Sequence, residues 1–313
     1  MRKILFTILT VAICTIANAQ QGVQYTAFMF NKLAFNPAYA GSQGHPCISA
    51  IHRSQWIAFP GAPNSQSVNF NMPFLNDRVG FGVSLQRDQI GPTNSYWANM
   101  SYAYRVKFKE EGTLSIGLSA SMRSYNLDLT NSTAISPNDV RIVNGNFNKI
   151  FPNLGLGAYY LHEKFYLGVS VPYILRNDLS FAQIAGNSDF TTEEPHWYTM
   201  AGLKLGNDKV AFKPSAFIKY VDNSPLDLDV NATVVFFNTI GIGGTYRLGG
   251  FDFSNGDSFD VLMYLNFNKF RIGASYDMSL SEVRDFSSGT FEVFLEHCIK
   301  GNDQKLTNPR FFF

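Results

Sequence analysis

The chain has 313 residues, a formal charge of +1 and many aromatic side chains (29 Phe, 15 Tyr and 3 Trp), yet its mean hydropathy is only −0.06. Near-neutrality without a long basic or acidic run gives no reason to expect nucleic acid as a partner. Three cysteines without a C-x-x-C pair exclude a disulfide-rich scaffold, and beyond the N-terminus no stretch reaches the roughly 18 apolar residues of a membrane helix.

The first element reads as a signal peptide over 1–19. Arg2 and Lys3 form the charged start, Ile4 to Ile16 the apolar run, and Ala17-Asn18-Ala19 an A-x-A cleavage site. Cys14 does not make a lipoprotein signal, because bulky Ile13 precedes it. Losing Arg2 and Lys3 takes the charge from +1 to −1. Residues 20–45 follow as a turn-rich lead-in, punctuated by Pro37 and Gly41, that is expected to plug or pack under the periplasmic mouth of whatever comes next.

What comes next, over 46–298, is a two-residue alternation repeated about fourteen times. The predicted strands are Cys47–Trp56, Gln66–Pro73, Arg78–Gln86, Ser95–Lys107, Thr113–Asn126, Asn153–Leu161, Lys164–Pro172, Trp197–Leu205, Val210–Tyr220, Leu226–Phe237, Ile240–Tyr246, Ser258–Asn266, Lys269–Asp277 and Thr290–Cys298. One face of each is greasy (Leu114, Ile116, Leu118, Ala120) and the other small or polar (Ser115, Gly117, Ser119, Ser121). Every second link is tight, as at His162-Glu163 and Asn238-Thr239, whereas Leu127–Pro152 and Tyr173–His196 are long. These features predict an all-β protein, a transmembrane antiparallel β-barrel of about 14 strands in the outer membrane with lipid around it. Residues 299–313 form a periplasmic tail. A soluble sandwich alternates too, but it would not expose the row Tyr96, Ala98, Met100, Tyr102, Tyr104 and Val106, and it would carry Lys and Glu where this chain has Gly and Ser.

The polar face carries Gln55 and both signs of charge, including Arg53, Arg105, Lys107, Arg123, Lys213, Lys219, Asp227, Asp229, Asp260, Arg271, Asp277, Glu292 and Glu296. A turn at Asp222–Ser224 sets Lys219 across from Asp227 as a lumen pair. A lumen that pairs its own charges reads as plugged or narrow. Cys47 and Cys298 fall at the same rim of the first and last strands with lumen parity, so a disulfide across the seam is one expectation and two free thiols the other.

Four stretches together resemble the PorP/SprF family of Bacteroidota outer-membrane proteins: Asn36-Pro37-Ala38-Tyr39-Ala40-Gly41, Arg53-Ser54-Gln55-Trp56 with Gly61-Ala62-Pro63, Ile90-Gly91-Pro92-Thr93-Asn94, and Asn308-Pro309-Arg310-Phe311-Phe312. The resemblance implies type IX protein secretion and, in some members, gliding motility. It also implies partnership with other secretion components and with a cognate secreted adhesin, exported or anchored at the surface through its C-terminal domain. Read from the residues, the motif positions are structural first: glycines for turns, prolines to stiffen them. Trp56 closes an upward strand, a position suited to the outer aromatic girdle.

Partner contact is expected from apolar residues in the long loops: Phe147, Ile150, Phe151, Leu175, Phe181, Ile184 and Phe190. No cofactor, metal or catalytic site is expected. The five histidines are scattered, no G-x-S-x-G elbow occurs, and the G-x-G pairs at 80/82, 155/157 and 241/243 sit inside strands with no helix after them. A passive porin-like transporter is the alternative function.

Overall fold

The structure, a computed structural model, describes residues 22–108, 112–130, 145–180, 192–222, 224–249 and 256–299. The expected leader and nearly all of the expected tail, with its Asn308–Phe312 motif, lie outside the described residues. Fifteen strand segments are present among the described residues: β1 (Cys47–Ser54), β2 (Asn64–Phe74), β3 (Val79–Ile90), β4 (Thr93–Lys107), β5 (Thr113–Asp128), β6 (Asn146–Leu161), β7 (Phe165–Val171), β8 (His196–Leu203), β9 (Leu205–Gly206), β10 (Val210–Val221), β11 (Asp227–Phe236), β12 (Ile240–Gly249), β13 (Gly256–Phe267), β14 (Phe270–Ser279) and β15 (Thr290–Cys298). The two-residue β9 continues β8 past Lys204 along the same neighbour, β10. The segments therefore build fourteen strands, each antiparallel to the next, and β15 returns to β1 to close the barrel.

Alternation drives this closure. Along β5, Ile116, Leu118 and Met122 are more than half exposed, while Ser115, Ser119 and Ser121 are buried. The exposed rows contain aliphatic and aromatic residues on nearly every strand, which suits hydrocarbon outside and a polar filling inside. No helix among the described residues is long and apolar enough to cross a membrane.

The strands are uneven. β4, β5 and β6 have 15, 16 and 16 residues, whereas β7 has 7. The loop expected over Leu127–Pro152 is therefore strand at both ends: β5 runs on to Asp128 and β6 begins at Asn146, paired with it. At one end of the barrel the links are short turns, with Leu75, Asn76 and Asp77, Phe237 and Asn238, and Asn268 in the left-handed region. At the other end they are mostly longer; the tightest is Ile90–Thr93, turned at Gly91 (φ 54°), and the link after β10 spans five residues.

Residues 22–46 do not lie under the barrel. They run down its inside, from Gly22 beside Tyr198 and His196 at the long-loop end to Pro46 at the short-turn end. Three short turns of helix, Phe28–Phe30, Lys32–Phe35 and Pro37–Tyr39, fold this plug. Tyr25, Ala27, Phe28, Phe35, Ala38 and Ala40 are all at least 95% buried, so the core of this molecule is the contact between plug and wall.

Candidate functional site: the plugged lumen

The upper plug is held by charge. Backbone N–H groups of Thr26 and Ala27 donate to the Glu292 carboxylate at 3.0 and 2.8 Å. The Thr26 hydroxyl donates to Asp277 at 2.7 Å and accepts from Arg53 Nη1 at 2.9 Å. Arg53 in turn pairs with Asp277 at 2.7 Å and Glu292 at 3.3 Å. Beside them Arg247 pairs with Asp229 at 3.0 Å, and Lys219 reaches Asp229 at 3.0 Å and Asp227 at 4.0 Å. The register places Lys219 opposite Asp227, but the closer carboxylate is two residues on. Gln24 adds a plug contact to Asp227 at 3.3 Å. These groups are almost wholly buried, where breaking one partner away costs several kcal/mol.

The middle is held by rings. Phe28 stacks on Phe217 with centroids 5.2 Å apart, Phe35 meets Tyr198 and Phe217, and Phe30 stacks on Phe294 at 4.7 Å.

The lower plug is held by shape. The Asn36–Gly41 motif lies on a shelf of lumen-facing glycines. A Cβ on Gly80 would come within 1.9 Å of the Ala40 carbonyl oxygen, one on Gly117 within 2.2 Å of the Ala38 nitrogen, and one on Gly157 within 2.2 Å of Asn36 Oδ1. Gly117 and Gly157 are direct neighbours across β5 and β6. Asn36 caps its own turn by accepting from the Ala38 N–H at 2.9 Å and donates to the Ala158 carbonyl at 3.0 Å. Pro37 opens that turn, and Gly41 ends it at φ 70° with its carbonyl accepting from Arg105 at 2.7 Å.

The other motif turns meet at the long-loop rim. The Gly91 N–H donates to the Gly61 carbonyl at 2.9 Å, and the Gln55 N–H to the Pro63 carbonyl at 2.9 Å. Trp56 is not in an outer girdle. β1 stops at Ser54, Trp56 turns at φ 48°, and its ring lines a cavity of about 470 Å³ at the lumen mouth together with Gln55, Pro63 and Arg53. A second cavity at this end, about 320 Å³, lies between the plug and Trp97, Arg123, Tyr173 and Tyr198.

Of the apolar residues expected on loops, Phe147, Ile150 and Phe151 belong to β6. Phe151 is buried toward the lumen, and Ile150 is 62% exposed on the outer face. Leu175 does follow a strand and is exposed, its backbone gripped by the Asn153 side chain at 2.8 and 2.9 Å. Phe181, Ile184 and Phe190 lie outside the described residues. Cys47 and Cys298 are opposite each other in the β1–β15 register and joined at an S–S distance of 2.05 Å. Two anchors escaped the sequence reading: Glu193, which pairs with Arg123 at 3.0 Å, and Asn153, which bridges Glu193 and the chain after β7. Glu193 lies outside every alternating run, and Asn153 stands in the expected strand Asn153–Leu161 only as its first residue.

A closed barrel with a greasy exterior and a lumen filled by its own N-terminal segment defines a plugged outer-membrane β-barrel protein. The family model described as type IX secretion system membrane protein PorP/SprF matches residues 17–297, and the chain belongs to that family. No curated protein matches the sequence. Similar solved structures include the Acinetobacter baumannii outer-membrane protein Omp33 (9% identity, 82% of this chain and 98% of that one, TM-score 0.46). A Pseudomonas aeruginosa FadL homologue is also similar (13%, 90% and 96%, 0.46), as is a mutant Rh. blastica porin (9%, 82% and 99%, 0.34).

Proposed function

We propose that this protein serves type IX secretion as a plugged outer-membrane scaffold that assists export or surface anchoring of a cognate adhesin, engaging the C-terminal domain of its cargo. The short-turn end then faces the periplasm and other secretion components, and the long-loop end faces outward. The observation that carries this over passive transport is the plug. It is fixed by buried charge pairs above and by a glycine shelf below, which suits a scaffold better than a conduit. Partner contact is assigned to the long-loop rim, with Leu175 and the outward Ile150 as candidates there and Phe181, Ile184 and Phe190 as further candidates from the sequence. The test is co-purification from native outer membrane, with planar-bilayer recording alongside. Retention of a secreted protein through its C-terminal domain, with no steady conductance, supports the scaffold. A steady open pore and no retained cargo would establish the transporter instead.

A further inference from the structure

A cavity of about 270 Å³ opens at the short-turn end of the lumen, beside the lower plug. Five cations line it, Lys32, Lys164, Lys204, Lys213 and Arg271, against one carboxylate, Glu163. Arg271 is satisfied by Glu296 at 2.7 Å. Among the described residues, no carboxylate lies within ion-pair distance of the four lysines. The Lys32 ammonium meets the Tyr159 hydroxyl at 3.4 Å, the face of the Tyr166 ring 3.4 Å from its centroid, and, more distantly, the Tyr39 and Tyr159 rings. The upper lumen is built differently, since Arg53, Lys219 and Arg247 each meet carboxylates there. The four lysines that line the lower cavity thus lack the carboxylate partners that the upper lumen supplies. The cost of that arrangement is visible at Lys32, whose amine is drawn down to about 7 by burial and by the neighbouring charge of Arg271.

We propose that this cavity is a binding site for an oxyanion, a carboxylate or phosphate carried on an apolar or aromatic body, with Lys32 and Lys213 as its charge partners. Ammonium groups donate and cannot accept, so the complement is an anionic acceptor. In a partly dry cavity its attraction to several cations is much stronger than in water. Much of the remaining wall is aromatic or aliphatic, including Phe30, Phe165, Leu203 and Tyr264, with Ser215, Asn231 and Thr233 as neutral polar groups. The size suits a headgroup-sized ligand, near the lower limit of small-molecule pockets. The same chemistry is offered by a phospholipid headgroup and by a free small phosphate or carboxylate.

The test uses the whole mature protein in maltoside detergent, titrated calorimetrically with phenyl phosphate and with inorganic phosphate. Phenyl phosphate is expected to bind more tightly than inorganic phosphate. Lys213→Gln and Lys32→Gln should each weaken it by about tenfold or more. Lys107→Gln should leave it unchanged, because that exposed rim lysine already pairs with Asp77 at 3.0 Å. Native mass spectrometry separates the sources. A co-purified phospholipid displaced by phenyl phosphate assigns the headgroup, and its absence assigns a free ligand. Failure of the wild type to bind phenyl phosphate, or equal binding by wild type and Lys213→Gln, overturns the proposal. The wall variant decides alone if Lys32→Gln does not fold.

Discussion

Replacing Gly80 by alanine tests whether shape holds the lower plug. The added Cβ would sit 1.9 Å from the Ala40 carbonyl oxygen, where ordinary contact starts at 3.4 Å, so the plug must retreat by about 1.5 Å. The obstacle is backbone on both sides, and no side chain can swing away. Gly41 would retreat with Ala40 and carry its carbonyl beyond hydrogen-bond range of Arg105, now at 2.7 Å. Losing a hydrogen bond to a charged group costs about 1.5–3 kcal/mol, and crowding a packed interior adds roughly 1–3 kcal/mol. The unseated state should therefore gain at least about fiftyfold in population, at 1.4 kcal/mol per tenfold. Hydrogen exchange followed by mass spectrometry reads this directly. The amides of Tyr39, Ala40 and Ser42, bonded within the plug, should exchange faster by about that factor. Those of Ile116 and Leu118 in the wall should not change. Gly244→Ala is the control, since its Cβ would meet nothing nearer than 3.3 Å. Plug exchange in Gly80→Ala within about threefold of wild type would refute the steric argument.

Three further outcomes are expected. Arg53→Met strands Asp277 and Glu292 in the lumen and should cost about 3–5 kcal/mol, seen as a lower midpoint for heat unfolding in gel-shift assays; an unchanged midpoint contradicts it. Peptide mapping without reductant should recover Cys47 and Cys298 in one linked pair. The 251-residue separation predicts that Cys47→Ser lowers stability by up to about 5 kcal/mol in the chain-entropy picture, and recovery of two alkylated thiols would remove the bridge. Lys32 titrates near 7 in the seated plug against 10.5 when solvated. The unseated state binds the proton more strongly in between, so plug seating should strengthen as pH rises from about 7 to about 10.5 and be weakest below 7. Lys32→Met should flatten that response, and an identical pH profile in the variant would exclude Lys32 as its source.

The wall was far more legible than its contents. Strand positions follow from a period-2 pattern that depends only on which face meets lipid, and β15 matches its expected range, Thr290–Cys298, at both ends. The pattern fades where strands leave the apolar band. Outward Asn146 and Asn148 on β6, and Arg87 and Gln89 on β3, break the alternation, and Pro152 argues against a strand. The expected strands therefore began at Asn153 and stopped at Gln86, too late and too early. The glycines at 80, 117 and 157 read correctly as small lumen residues. Their partner could not be read, because the match between a shelf on three strands and a turn at Asn36–Gly41 exists only in three dimensions. Trp56 was misplaced for a related reason: parity was carried two residues past Ser54, where the chain had already turned inward.

The two ends of the plug obey different physics, and this separates what can release each. Contacts among Thr26, Arg53, Asp277 and Glu292 are electrostatic but buried. Salt screens such groups weakly, so moderate ionic strength should leave the upper plug seated while neutralising substitutions free it. The Asn36–Gly41 turn is fixed chiefly by close approach to the glycine shelf, which salt does not address, with the Arg105 bond to the Gly41 carbonyl as a charged contact. A ligand that moved the plug from the short-turn side would meet the sterically held end first. Lys32 lies four residues before Asn36, between that end and the aromatic middle. An anion captured by Lys32 relieves its buried charge without touching the shelf. Ligand binding at the lower cavity should therefore tighten the plug, and the same exchange measurement on residues 32–42 should show slower exchange with phenyl phosphate bound. Faster exchange would mean that the ligand competes with the plug for the cavity.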